Sequence, residues 1–288
     1  MTDGVTGEAA PEALDFEVPR VAGSGIDGLA PAPEMSRSDH FAMVREGRLG
    51  SIHSWELVTA VDGPGTRMTI FLSGCPLRCL YCHNPDTMAM RNGEPVEASE
   101  LLRRIKRYRR IFKNSGGGIT LSGGEVLMQP AFAATLLRGA KEMGIHTTID
   151  TSGYLGAACT DEMLADIDLV LLDVKSGDPE TYRKVTGRAL EPTLQFGRRL
   201  AESGTEIWLR FVLVPGLTDD PANVETIAEY AATLATVSRV EVLPFHQMGK
   251  DKWESLGIPY ELGDTQPPTN AEVDRVRDQF RAKGLTVY

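Results

Sequence analysis

Six short apolar runs, rich in β-branched residues, alternate with helical patterns between residue 47 and the C-terminus. Runs of this kind are typical of strands buried on both faces of a parallel sheet, whereas half-exposed strands would alternate polar and apolar residues. Strand alternating with helix six times predicts an α/β fold with parallel strands, and no break in the alternation indicates a second domain. The six runs are Met68–Leu72, Gly118–Leu121, His146–Ile149, Leu169–Val174, Ile207–Val214 and Val240–Leu243.

The segments between these runs have the spacing of amphipathic helices. In one of them the apolar residues share a single face, and seven Arg and Lys residues between positions 103 and 113 fill the opposite side. Such a charged side is more typical of a solvated helix face than of a patch that binds nucleic acid or a partner. The apolar face consists of Leu101, Leu102, Ile105, Tyr108 and Phe112, and further helices are predicted near Ala131–Met143, Pro221–Leu234 and Ala271–Ala282.

The first 45 residues differ in composition from the remainder. They are rich in Gly, Pro and Ala, and they hold eight Asp and Glu against three Arg. Because they offer too little apolar surface to offset chain entropy, residues 1–45 are predicted to be a disordered extension, followed by one domain over residues 46–288. The formal net charge of −10, about half of it in the extension, argues against a general nucleic-acid-binding protein.

The sequence also favours one cellular compartment. No run approaches the roughly 18 uncharged apolar residues that a membrane-spanning helix needs. The N-terminus lacks a basic start followed by an apolar core, so no secretory signal is expected. Three of the four cysteines crowd into eight positions, which a secreted disulfide framework would not do. We therefore expect a cytoplasmic protein without a membrane partner, whose cysteines bind a metal.

Cys75, Cys79 and Cys82 directly follow the first apolar run. Spacings of three and two residues allow one loop to place three thiolates around a compact metal centre. A cubane cluster has four irons, so three cysteines leave one iron open to a substrate or cofactor. The competing interpretation is structural zinc with His83 or Cys159 as fourth ligand, but such sites normally use two pairs of ligands, and no second pair is present.

Polar residues follow the apolar runs at the strand ends where a barrel carries its functional groups. Ser122-Gly-Gly-Glu125 follows the second run, and its two glycines let the backbone approach a ligand closely. Glu125 could instead support that loop. Asp150 and Thr151 follow the third run, where helix capping by Asp150, Thr151 or Ser152 is the alternative role. Asp173 and Lys175 end the fourth run on one side of the strand, so each could pair with the other.

Three further residues suggest ligand contacts. Arg210 interrupts the fifth run, which is unfavourable unless it meets a carboxylate, either of a ligand or of Asp173. His246 follows the sixth run at the end where a ligand would be met. Asp62 begins a Gly- and Pro-rich turn before the first run, and it could reach a peptide or cofactor or simply form the turn.

The CxxxCxxC arrangement, with an aromatic residue before its third cysteine, resembles that of the radical S-adenosylmethionine (SAM) superfamily. Other segments resemble one family within it, the pyruvate formate-lyase activating enzymes, which act on a glycyl radical enzyme. The resemblance runs from about Gly47 to the C-terminus and leaves out only the extension. It is carried by Gly47–Ser54, Val61–Gly65, Cys79–Asn84, Ser115–Gly118, Ser122–Glu125, Gly144–Thr147, Val214–Gly216 and Gly249–Trp253.

The resemblance implies a fold and an activity. The fold would be a partial (β/α)6 barrel, TIM-like with parallel strands. The activity would be that of an oxidoreductase of anaerobic pyruvate metabolism with a [4Fe-4S] cluster whose open iron binds S-adenosylmethionine. Reductive cleavage of this cofactor gives a 5′-deoxyadenosyl radical, which takes a hydrogen atom from one backbone glycine of pyruvate formate-lyase. A flavodoxin or ferredoxin would donate the electron.

Carried onto matching positions, the resemblance also implies roles for individual residues. Cys75, Cys79 and Cys82 would hold the cluster, and Asp62 and Lys175 would act as catalytic residues near the glycine-bearing loop. The cofactor would contact Tyr81, His83, Asn84, Gly123, Gly124, Glu125, Asp150, Lys175, Arg210 and His246. A monovalent cation, Na+ or K+, would be bound by Asp150, Thr151, Asp173 and the carbonyl of Leu171.

Two alternatives stay open at this point. Several activases of other glycyl radical enzymes carry an inserted region with extra cysteine sets, whereas the segment after Asn84 contains none, which favours the pyruvate formate-lyase type. A protein of another class, a non-catalytic iron–sulfur electron carrier, would leave the residues at the strand ends without a role.

Overall fold

This computed structural model describes residues 25–59 and 61–288, and one eight-stranded sheet organises it. The strands are β1 (Leu49–Thr59), β2 (Arg67–Leu72), β3 (Glu94–Glu97), β4 (Gly118–Gly123), β5 (His146–Thr151), β6 (Leu169–Asp173), β7 (Glu206–Leu213) and β8 (Val237–Pro244). Their order in the sheet is β3-β1-β2-β4-β5-β6-β7-β8.

The six strands β2 and β4 to β8 are parallel and pair in chain order. They correspond to the six predicted runs, so the expected parallel α/β architecture is confirmed. β1 and β3, which the pattern analysis did not identify, extend the sheet as antiparallel strands beyond β2. Because β3 and β8 are the two edges, the sheet does not close, as expected for a partial barrel.

Helices connect the parallel strands and cover the outside of the sheet. In the described part of the chain they are α1 (Arg37–Arg45), α2 (Ala98–Ser115), α3 (Pro130–Glu142), α4 (Asp161–Ala165), α5 (Pro179–Thr186), α6 (Glu191–Ser203), α7 (Pro221–Thr233), α8 (Lys250–Ser255) and α9 (Asn270–Ala282). The four predicted helices correspond to α2, α3, α7 and α9. α2 buries Leu101, Ile105 and Phe112, and most of its basic residues are exposed.

The N-terminal region is only partly covered by the structure. Residues 1–24 of the predicted extension lie outside the described residues, and the division into extension and domain stays a prediction. Within residues 25–45, however, the chain forms α1 and packs Leu29 into the core. The indole of Trp55 donates a hydrogen bond to the carbonyl of Asp27 (3.0 Å). A few apolar residues can attach such a stretch to a folded surface that is available to bury them.

Two groups of buried apolar side chains stabilise the fold. The larger lies between the sheet and its helices. The smaller gathers Tyr81, Val185, Val214, Phe245 and Leu262 beneath the cysteine-containing segment. That segment therefore rests on a packed apolar base as well as on the sheet.

A fully buried arginine ties together the N-terminal parts of the first parallel strands. Arg67 donates hydrogen bonds to the hydroxyls of Thr120 (2.7 Å) and Thr148 (2.8 Å) and to the carbonyls of Pro64 (3.0 Å) and Ile119. Burial lowers the pKa of Arg67 to about 10, so it is still charged at neutral pH. One guanidinium thus joins β2, β4 and β5 to the turn before β2.

We expect Arg67→Ala to lower the free energy of unfolding by about 3–5 kcal/mol, because it empties a buried site and leaves four acceptors without a donor. Arg67→Lys should lower it less, since an ammonium replaces only part of the guanidinium fork. Denaturant unfolding of the apoprotein measures both. The exposed Arg48→Ala is the control and should stay within about 0.5 kcal/mol; an equally small change for Arg67→Ala would contradict this account.

Candidate active site

A cavity of about 670 Å³ lies at the C-terminal ends of the parallel strands, where barrels of this kind bind ligands. Every predicted site residue except Leu171 lines it. Leu171 is fully buried within β6, paired with Asp150 of β5. The fold therefore brings together nearly all the residues that the sequence singled out.

The cysteine loop, residues 73–84, follows β2 and forms one wall of the cavity. At its start the N–H of Gly74 donates to the carbonyl of Thr87 (2.7 Å), and the N–H of Cys75 donates to that of Met88 (3.0 Å). The N–H of Glu125 donates to the carbonyl of Gly74 (2.8 Å). These bonds attach the start of the loop to residues 87 and 88, which follow it in the chain, and to the turn after β4.

The middle of the cysteine loop rests on α5. The N–H of Arg78 donates to the carbonyl of Thr186 (2.8 Å), and the N–H of Leu80 donates to that of Val185 (3.0 Å). Carbonyls of a helix's last turn have no partner within the helix, so α5 is suited to receive a loop in this way.

The far end of the cysteine loop is held by α8, which begins in the Gly249–Trp253 motif. The indole of Trp253 donates to the carbonyl of Cys82 (2.8 Å), and the ammonium of Lys252 donates to the side chain of Asn84 (2.8 Å). A Cβ at Gly249 would lie 2.7 Å from the oxygen of Cys82, so only glycine permits this approach. The loop is consequently fixed along its whole length.

The three thiols of the cysteine loop are half-buried and line the cavity. Burial raises the pKa of the Cys79 thiol to about 12, and it also raises the pKa of Cys75 and of Cys82. Without metal the thiols are therefore protonated, and metal binding must displace these protons.

The zinc alternative finds no support in the geometry. Within residues 25–59 and 61–288, no three His, Cys, Asp or Glu side chains are grouped to hold a single metal ion. Cys159 is buried in the core and does not line the cavity. The ring of His83 stacks on that of His246, with centroids 4.3 Å apart. Three thiols around an open cavity fit a polynuclear cluster instead.

Gly123 and Gly124 allow β4 to lie directly against the cysteine loop. Gly123 has a φ of 118°, and a Cβ there would lie 2.2 Å from the backbone of Leu72. A Cβ at Gly124 would lie 2.4 Å from the carbonyl oxygen of Gly74. A side chain at Gly123 would collide with the end of β2, and one at Gly124 would push away the start of the cysteine loop.

Glu125 supports the cavity wall. Its buried carboxylate accepts hydrogen bonds from the hydroxyl of Thr151 (2.6 Å), from the N–H (3.0 Å) and hydroxyl (2.5 Å) of Ser152, and from the N–H of Leu127 (3.2 Å). The structure therefore favours the supporting role that the sequence left open for Glu125. Thr151 and Ser152 are not helix caps, because their hydroxyls join β5 to the turn after β4.

Arg210 has different partners from the one expected. It forms ion pairs with Glu241 (2.9 Å) and, more distantly, with Asp150 (3.7 Å), and it donates a hydrogen bond to the carbonyl of Val61. The sequence left open a carboxylate of a ligand or that of Asp173, and Asp173 forms no ion pair with Arg210. β6 places Asp173 beside Arg210 in register, as β8 places Glu241, but Asp173 pairs with Lys175 instead. The guanidinium nevertheless lines the cavity with its charge balanced.

Asp150 carries an oxygen without a protein partner. One carboxylate oxygen accepts from the hydroxyl of Ser122 (2.8 Å), whereas the other is buried and has no hydrogen bond. Burial raises the pKa of Asp150 to about 6, although Arg210 acts in the opposite direction. A buried acceptor of this kind in a cavity wall indicates a ligand.

Lys175 and Asp173 form the predicted pair, with an N–O distance of 2.7 Å. Burial, the largest single influence, would lower the pKa of Lys175, but the influences of Asp173, Tyr81 and Cys79 together outweigh it and hold the pKa well above its usual value. The ammonium also lies 5.8 Å from the ring centroid of Tyr81. The hydroxyl of Tyr81 and Nδ1 of His246 are two further buried polar atoms without a partner.

Asp62 lies at the edge of the cavity as part of the turn before β2. Its side chain accepts a hydrogen bond from the hydroxyl of Thr69 (3.0 Å), and its carbonyl accepts one from Thr120 (2.6 Å). It forms the turn and also lines the cavity, so its two suggested roles are compatible.

The sequence analysis missed several residues that line the cavity. Glu241 neutralises Arg210, and Arg239 pairs with Glu241 (3.0 Å) while stacking on the rings of Trp208 (4.4 Å) and Tyr288 (3.9 Å). The alternation of charged and apolar residues in β8 was the available signal, since it places Arg239 and Glu241 on one side of the strand.

Comparison with known proteins assigns this site. The family model of the radical SAM superfamily matches residues 69–228. The pyruvate formate-lyase-activating enzyme of Clostridium pasteurianum is 44% identical over 218 residues, which cover 76% of this chain and 91% of that protein. The pyruvate formate-lyase 1-activating enzyme of Escherichia coli is 38% identical over 241 residues, covering 83% and 98%. The chain belongs to the pyruvate formate-lyase-activating enzyme family.

Solved structures agree with this assignment. A domain of a pyruvate-formate lyase-activating enzyme from Bacteroides vulgatus superposes with a TM-score of 0.51 and 26% identity, covering 60% of this chain and 98% of that one. A radical SAM methyltransferase from Sphaerobacter thermophilus shares the fold, with a TM-score of 0.56 and 17% identity, covering 90% of this chain and 76% of that one.

Among the described helices, none combines the length and apolar character that crossing a bilayer requires.

Membership of the radical SAM superfamily implies a [4Fe-4S] cluster and S-adenosylmethionine as cofactors. The cavity fits both groups. Three thiols from one fixed loop face it, and unpartnered polar atoms of Tyr81, Asp150 and His246 lie in its wall.

We expect Glu125→Ala to lower the free energy of unfolding of the apoprotein by about 2–4 kcal/mol, because four hydrogen-bond donors lose their acceptor. Glu125→Gln should have a smaller effect, since its amide keeps one acceptor oxygen. Denaturant unfolding measures both, with the exposed Glu142→Ala as control. An unchanged stability combined with weaker cofactor binding would show that Glu125 is a cofactor ligand and not a support.

Proposed function

We propose that this enzyme activates pyruvate formate-lyase under anaerobic conditions by generating a glycyl radical on it. The observation that carries the proposal is the cavity itself, in which a three-cysteine loop faces polar residues from five successive strands. The identities of 38–44% to enzymes named for this activation support the choice of substrate protein.

Cys75, Cys79 and Cys82 would hold the cluster, with S-adenosylmethionine beside it. When bound and given one electron by an external donor, these two groups would remove one hydrogen atom from a glycine Cα of the substrate protein and release methionine and 5′-deoxyadenosine. Because a hydrogen atom is transferred and not a proton, no side chain is needed as a general base. The chain's own task is to place the reactants and exclude water and oxygen.

The remaining cavity residues orient the cofactor and the substrate backbone. Asp62 and Lys175 act at the catalytic position, where Lys175 is fixed by Asp173 and Tyr81. The backbone of a glycine can enter such a cavity more deeply than that of any other residue, because glycine has no side chain that would collide with the walls. The cofactor is bound by Tyr81, His83, Asn84, Gly123, Gly124, Asp150, Lys175, Arg210 and His246, with Glu125 supporting this wall through its hydrogen bonds.

A monovalent cation, Na+ or K+, completes this proposal. Its ligands are Asp150, Thr151, Asp173 and the carbonyl of Leu171, which lie on the neighbouring strands β5 and β6. The unpartnered oxygen of Asp150 supports such a site. The electron donor is a flavodoxin or a ferredoxin, and the cytoplasm is the compartment in which we expect both partners.

After anaerobic reconstitution, we expect the enzyme to release 5′-deoxyadenosine from S-adenosylmethionine when a reductant is added. Cys79→Ser should lose the cluster, because the loop then provides only two thiolates, and its rate of cofactor cleavage should fall by at least about 100-fold. Cys159→Ser is the matched control and should retain both. Liquid chromatography of the products and iron analysis measure the outcome, and cleavage retained in Cys79→Ser would show that the ligand assignment is wrong.

With pyruvate formate-lyase added, the same mixture should give a glycyl radical doublet in the electron paramagnetic resonance spectrum. A doublet formed only with another glycyl radical enzyme would show that this other enzyme, and not pyruvate formate-lyase, is the substrate. Cofactor cleavage with no doublet from any such enzyme would reject the function.

For the cation, we expect S-adenosylmethionine to bind more weakly when K+ and Na+ are replaced by tetramethylammonium at equal ionic strength, because the larger ion cannot enter the site. Equilibrium dialysis measures the affinity. Equal affinity in all three salts would exclude the cation site.

A further inference from the structure

Four basic residues surround the outer side of the cysteine loop. We call Arg78, Arg183, Lys184 and Arg188 the basic rim; all four are exposed. Two of them form hydrogen bonds with carbonyls of the loop. Arg78, which belongs to the loop, donates to the carbonyl of Cys75 (2.7 Å), and Arg188 donates to that of Pro76 (2.8 Å). The positive charges are thus attached to the segment that carries the first cluster ligand.

The other two members of the basic rim lie in the last turns of α5. Arg183 and Lys184 point to solvent, whereas their neighbours Tyr182 and Val185 are buried. The carbonyls that follow them, of Val185 and Thr186, receive hydrogen bonds from the cysteine loop. The helix therefore presents both charges beside the loop that it supports.

The charges of the basic rim are not neutralised within the part of the chain that the structure describes. None of its members forms an ion pair there with a carboxylate. Glu180 lies in the first turn of α5 without pairing to Arg183 or Lys184, and Glu191 is paired with Arg198 (2.5 Å). The exposed basic residues of α2 form another such group, but the basic rim is the one that adjoins the segment carrying the cluster ligands.

The basic rim lies outside the cavity. Its members do not line the cavity, although the adjacent Cys75, Leu77 and Cys79 do. A protein bound to the rim would therefore reach the cysteine loop from behind while the cavity stays accessible to a substrate protein. The proposed function requires both kinds of partner, since the cluster must receive an electron from outside.

We propose that the basic rim is the docking surface for an acidic one-electron carrier protein that reduces the cluster. The carrier is oxidised by one electron and the cluster is reduced by one. Complementary charge steers the carrier to the rim and raises the association rate. The inference rests on the proposed function only in that the cluster needs a reductant.

The test uses the reconstituted holoenzyme and follows cluster reduction by its absorbance in an anaerobic stopped-flow instrument. The double variant Arg183→Glu/Lys184→Glu reverses two charges of the basic rim whose side chains make no contact with the loop. The matched control, Arg107→Glu/Arg110→Glu, reverses two exposed charges on α2. The reductants are the hydroquinone of an acidic flavodoxin and, separately, photoreduced 5-deazariboflavin.

With the flavodoxin, we expect the rim variant to show a second-order rate constant at least about tenfold lower at low salt, and a weaker dependence on ionic strength. The control variant and the reaction with deazariboflavin should be unchanged. An unchanged flavodoxin rate in the rim variant would overturn the proposal. An equal loss with both reductants would also overturn it, because the effect would then lie in the cluster itself.

This readout separates the inference from the proposed function, because cluster reduction is measured without any substrate protein. If wild-type enzyme were reduced normally and formed no glycyl radical, only the proposed function would fail. If glycyl radical formation driven by deazariboflavin were lost in the rim variant alone, the rim would serve the substrate protein, and the docking proposal would be rejected.

Discussion

The site depends on the hydrogen bonds that fix the cysteine loop before any metal binds. Its start is bound to the turn after β4, its middle to the last turn of α5, and its far end to α8. Each such bond contributes only about 1 kcal/mol net, but together they leave the loop few alternative conformations. Three thiols are thereby presented to the cavity in one arrangement.

The opposite wall of the cavity is organised by balanced buried charges. Glu125 satisfies four donors of the neighbouring turns, Lys175 is paired with Asp173, and Arg210 lies between Glu241 and Asp150. These arrangements keep charged groups in a cavity wall without leaving them unpaired. A few buried polar atoms of the cavity wall, on Tyr81, Asp150 and His246, have no hydrogen-bond partner and are therefore available to a ligand.

Local periodicity was sufficient to predict the six parallel strands, four of the five longest described helices (α6 was not predicted) and the position of the polar strand ends. Cysteine spacing was sufficient to predict the loop. Pattern could not reveal which charges would meet: Asp173 and Glu241 both lie beside Arg210 in register, yet Arg210 pairs with Glu241 while Asp173 pairs with Lys175, which is a property of the folded sheet. It also missed β1, whose mixed composition reflects its place near an edge, and the packing of Leu29, which depends on a distant surface.

The central claim is that the fixed loop holds a four-iron cluster with one iron left to the cofactor. Mössbauer spectroscopy of enzyme reconstituted with 57Fe tests it most directly. The account predicts a [4Fe-4S] spectrum in which addition of S-adenosylmethionine changes the parameters of one iron in four, and not those of the other three. A spectrum without a four-iron cluster, or one that S-adenosylmethionine leaves unchanged, would contradict it.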